Sequence, residues 1–159
     1  MKRETRFLKF VIYLMALFAL GLCIAILPLA FSAITAQRWA IKLMYTATFI
    51  GLYASAAAFF VALRQGLLLL RYIDNDCAFS ELSITALRKI KVSATVLSGL
   101  YFIGLPLAYV VAQEQDAPGI IVICFMFAVA ASTIAVFAAV LQKLLTHAIA
   151  LQRENDLTV

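Results

Sequence analysis

FVIYLMALFALGLCIAILPLAFSAITAQ, from Phe10 to Gln37, contains no charged side chain. As a helix it would be about 42 Å long at roughly 1.5 Å per residue, more than the roughly 30 Å of hydrocarbon in a bilayer. Three further runs repeat the pattern: Leu43 to Leu63, Val92 to Gln113 and Ala117 to Gln142 are also charge-free. None alternates strictly, so a β-barrel with a polar lumen does not fit. Backbone polar groups in lipid need internal partners, and helices supply them.

The whole composition agrees. The 159 residues are 65% apolar and only 13% charged, with a mean hydropathy of +1.03. A soluble domain of this size cannot bury that much apolar surface. Disordered, collagen-like and disulfide-scaffold classes are excluded with it. The sequence predicts an all-α protein. It is a four-helix transmembrane bundle with spans near 10–36, 43–70, 92–112 and 119–142. A cytoplasmic connection covers 71–91 and a cytoplasmic tail 143–159. All belong to one integral membrane domain, 1–159.

Lys2, Arg3, Arg6 and Lys9 precede the first run, as in a signal peptide, but its apolar stretch is too long for that and no small-x-small cleavage site follows. It reads as a retained first helix. The N-terminal arm has four Lys and Arg, the first loop two (Arg38 and Lys42), the 64–91 segment five, the loop before the fourth run none and the tail two, which is eleven against two on opposite sides. The positive-inside rule then places both termini in the cytoplasm. The pI near 9.3 follows from this asymmetry and implies no direct nucleic-acid binding.

Within the connection, Arg64 and Arg71 share one helix face and snorkel to headgroups. Asp74 and Asp76 match a calcium loop poorly, lacking the glycine and the bidentate glutamate. Ser80 is an expected N-cap for a short interfacial helix through Lys91, with Arg88 and Lys89 off its apolar arc. The fourth helix is expected to continue into the cytoplasm, because Phe137, Leu141, Leu144, Ala148 and Leu151 keep a helical stripe. That stripe needs a partner: the cytoplasmic helix, a second copy or another protein.

Recognisable reaction chemistry is missing. Cys23, Cys77 and Cys124 form no C-x-x-C and read as free thiols, and a lone His147 makes no metal site. No span holds Asp or Glu, which argues against proton-coupled export. No nucleophile elbow, zinc-protease motif or P-loop occurs. The expectation is no enzyme activity and no cofactor. Gly51-x-x-x-Ser55, Ala54-x-x-x-Ala58, Ala128-x-x-x-Ser132 and Ala131-x-x-x-Ala135 are small-residue motifs for close helix packing, within the chain or in a homo-oligomer. Pro28 and Pro106 are expected to kink the first and third helices.

Two patches carry a resemblance: Phe79-Ser80 followed by Leu87-Arg88-Lys89-Ile90, and the end, Glu154-Asn155-Asp156-Leu157-Thr158-Val159. With four spans in this length, the chain resembles the YoaS-like bacterial membrane proteins, domain-of-unknown-function family 2975. The resemblance implies a bacterial cell-membrane protein with no established activity. It also implies a regulatory or interaction role beside a Cro-like helix-turn-helix regulator. The alternative is a small oligomeric transporter or channel for a neutral or lipid-like substrate. The partners expected are membrane lipids, that regulator and further copies of the chain. For the tail, the expectation is docking: Leu151 and Leu157 pack on the 80–91 helix while Glu154 and Asp156 approach Arg88 or Lys89.

Overall fold

In the computed structural model the described residues are 2–35, 39–75 and 80–156. They form four α-helices: α1 (Lys2–Thr35), α2 (Trp39–Asp74), α3 (Glu81–Glu114) and α4 (Gly119–Asp156). All four are long and apolar enough to cross a membrane. At roughly 1.5 Å per residue they measure about 51 to 57 Å, well over the hydrocarbon thickness.

One expectation about the connection is corrected. α2 runs to Asp74 and α3 starts at Glu81. There is no separate interfacial helix: the segment through Lys91 is the first turns of α3. The reason is local. No Gly or Pro lies between Glu81 and Ser98, so nothing breaks the hydrogen-bond ladder. Ser80 caps this helix as its residue type predicts, with extended φ and ψ and its hydroxyl accepting from the Ser83 N–H. Cys77 and Phe79 lie outside the described residues.

The bundle is also corrected. Among the described residues α1 packs on α2, α2 on α3 and α3 on α4, and no other pair of helices touches. The helices form an open row without a shared central core. Lipid is as apolar as leucine, so no hydrophobic force drives closure, and close packing depends on small residues. Leu17, Phe18 and Ile103 stand exposed accordingly.

The most extensive seam is α3 against α4. The side chains of α4 turned into the structure recur three and four residues apart: Ala128, Ala131, Ala135, Ala138, then Leu145 and Ile149. That is the heptad spacing of helices packed nearly antiparallel. On α3, Ala94, Leu97, Ala108 and Ala112 are buried. Mid-seam, Ser98 and Ser132 hydrogen-bond at 2.6 Å, and Tyr101 stacks on Phe127 with ring centroids 5.7 Å apart. The Ala128 and Ala131 motifs are therefore spent within the chain. On α2, by contrast, a Cβ added at Gly51 would meet nothing within 4 Å. Pro28 and Pro106 lie inside α1 and α3.

The α3–α4 turn has Asp116 at φ 49°, left-handed, and Ala117 N–H donating to Ala112 O at 3.0 Å. This is the glycine-type helix ending with aspartate in the glycine position. Gln115 Nε2 donates to Tyr45 OH at 3.2 Å, which ties this turn to the start of α2.

Candidate functional site

The polar groups converge at the end of the row opposite that turn. There the start of α1, the end of α2, the start of α3 and the end of α4 lie together. Two ion pairs join neighbouring helices at this end. Lys9 pairs with Asp74 between α1 and α2, partly buried, and Arg153 pairs with Glu81 at 2.9 Å between α4 and α3, largely exposed. An exposed pair contributes about 0–1 kcal/mol, so the second fixes register more than stability.

The expected docking residues are distributed as follows. Arg88 and Lys89 are exposed on the first turns of α3. The ion pair described between these helix ends joins other residues, with the tail supplying the cation Arg153 and α3 the acid Glu81. Leu151 is 66% exposed and does not pack on α3. The reason is angular: Leu145 and Ile149 take the α3-facing stripe, and Leu151 lies about 160° round the helix from Ile149, since two residues turn the helix through about 200°. Phe137, Leu141 and Leu144 are exposed as well. The stripe read from the sequence thus faces away from the row. Glu154 is exposed and has a partner of its own. Asp156 is helical, but its side chain, like all of Leu157, is outside the described residues.

A feature not singled out from the sequence lies on the flank of the α3–α4 seam. Lys91 from α3 and Gln142, Lys143, Thr146 and His147 from α4 line a groove of about 370 Å³, floored by Ala139. Neither lysine has a carboxylate within 4.0 Å among the described residues. The Thr146 hydroxyl donates to Gln142 O at 2.9 Å, so its oxygen is left as an acceptor. The available signal was that Lys91 and Lys143 each close a charge-free run, but antiparallel pairing was needed to bring them together. A second, apolar groove of about 700 Å³ lies nearer the turn, between Phe102, Pro106 and Tyr109 on α3 and Ile121 and Phe125 on α4. Among the described residues, no three His, Cys, Asp or Glu side chains gather.

Residues 11–159 match the family described as "Protein of unknown function (DUF2975)", and the chain belongs to it. The chain is 44% identical over 158 residues to the uncharacterized membrane protein YoaS of Bacillus subtilis (strain 168), covering 99% of each sequence. No solved structure matches. The protein is a membrane protein with four candidate spans.

Proposed function

We propose that this family member is a non-enzymatic regulatory protein. Its cytoplasmic helix ends would hold a soluble DNA-binding partner of the helix-turn-helix class at the inner membrane. The orientation that goes with this reading is both termini inside. The observation that carries it is the exposed pair Leu144 and Leu151. They lie seven residues apart on one face of α4, beyond Lys143, where the charge-free run has ended. Leu151, about 12 Å past Lys143 along the helix, lies beyond the headgroup level, and covering it would contribute about 1.5–3 kcal/mol. Arg88 and Lys89, also exposed at this end, offer cations for an acidic partner surface.

The test is co-purification of the detergent-solubilised protein with the regulator, comparing wild type with Leu144→Asp/Leu151→Asp. Both leucines are exposed, so the variant is expected to insert and fold as wild type and to lose the partner. Equal retention of the regulator would refute the reading. A second reading is a transport pathway for a neutral or lipid-like substrate, built when copies combine. Its support is the open row together with the apolar groove at Pro106. Flux in reconstituted vesicles separates the two.

A further inference from the structure

We propose that the groove between Lys91 and Lys143 is a binding site for a phosphate group, occupied by the headgroup of an anionic phospholipid. The site is distinct from the partner-binding face and does not depend on it.

Three observations lead there. The first is chemical. Two cations from different helices converge on one groove with Gln142, Thr146 and His147, and no acidic side chain lines it. The nearest acid on the α4 flank is Glu154, seven residues or about 10 Å along the helix from His147, and it is already partnered. A phosphate can therefore take charge-assisted hydrogen bonds from both lysines without competing with a carboxylate. A zwitterionic headgroup would bring its ammonium against the same two lysines.

The second is the level at which the groove lies. Lys91 and Glu114 bracket the charge-free part of α3. Val92 to Gln113 measures about 33 Å, close to the hydrocarbon thickness. Lys91 is thus at the headgroup plane of one leaflet. Ser98 opposite Ser132 sets the antiparallel register, which puts Lys91 level with Ala139 and Lys143 one turn further out. Two cations one turn apart straddle the phosphate layer.

The third is the flank leading into the groove. Val136 and Val140 are exposed on α4, seven and three residues before Lys143. They form an apolar track on the hydrocarbon side, along which acyl chains can lie while the phosphate sits between the lysines. Thr146, its proton committed to Gln142 O, offers an acceptor to a headgroup hydroxyl such as that of phosphatidylglycerol.

Native mass spectrometry of the full chain in detergent, titrated with phosphatidylglycerol, phosphatidylcholine or glycerol phosphate, tests the proposal. Lys91→Gln/Lys143→Gln is expected to weaken binding of the first phosphatidylglycerol about tenfold or more, given the contribution of each cation near a headgroup. Arg64→Gln/Arg71→Gln removes the same charge from α2 and should change it less than about twofold. Lys91→Arg/Lys143→Arg should retain binding. Phosphatidylcholine should bind weakly and respond to neither Gln pair. Glycerol phosphate binding that the groove variant alone abolishes, with phosphatidylglycerol unaffected, would keep the phosphate site and overturn the lipid as its source. Equal losses in the two Gln pairs, or none in the groove pair, would overturn the site.

Discussion

Ser98 on α3 and Ser132 on α4 meet hydroxyl to hydroxyl at 2.6 Å in the middle of the tightest seam of the molecule. Ser132 also donates to Ala128 O at 2.9 Å, so the proton shared between the two side chains comes from Ser98. The contact is a register pin in a stretch otherwise built of alanines.

Each hydroxyl therefore tests the seam. Interhelical hydrogen bonds in membranes contribute about 0.6 kcal/mol on average and about 1.7 at most. Ser98→Ala, Ser132→Ala and the double variant should show a coupling energy in that range in a steric-trap or denaturant assay. Strict additivity would mean that the pair does not hold α3 to α4.

Ala128 is fully buried while Ala130, two residues on, is exposed. Ala128→Leu forces the helices apart and should destabilise by about 1–3 kcal/mol. Ala130→Leu adds the same volume toward lipid and should be near neutral. Thermal midpoints in one detergent compare them, and similar effects from the two would contradict the assigned seam.

Asp116 occupies the left-handed position that ends α3. A non-glycine residue there costs about 1–2 kcal/mol, less where aspartate bonds locally. Asp116→Gly should raise the thermal midpoint, and a lowered one would mean that the side chain has a role the turn geometry does not require.

The Lys9–Asp74 pair joins α1 to its one neighbour among the described residues. Asp74→Asn should broaden the distance distribution between spin labels on the start of α1 and the end of α2. The α3–α4 distances should stay fixed. An unchanged α1–α2 distribution would show that apolar contacts alone hold the edge helix.

For orientation, single cysteines at positions 116 and 76 in a background lacking the native thiols give a direct readout. Position 116 should react with an impermeant reagent from outside and position 76 only from within. The reverse pattern would overturn the charge-asymmetry argument.

Much of this architecture was legible without coordinates. Charge-free runs longer than the hydrocarbon thickness fix the number and kind of spans, because lipid leaves the backbone no other economical solution. Ser80 as a cap was readable for the same kind of reason, since its hydroxyl acts on an N–H three residues away. The sequence could not tell which face of each helix meets another. In water the apolar face is the buried one, but here every face of α4 up to Leu141 is apolar or small. Phe137, Leu141, Leu144 and Leu151 make the more visible stripe, yet Ala128, Ala131 and Ala138 pack inward. In lipid, closeness of approach rather than hydrophobicity selects the interface. Only the tertiary structure could decide that the row stays open, that Arg153 reaches Glu81 on α3, and that Lys91 and Lys143, fifty-two residues apart in sequence, face one groove. Each depends on the rotation of one helix against the next, which no local sequence signal specifies.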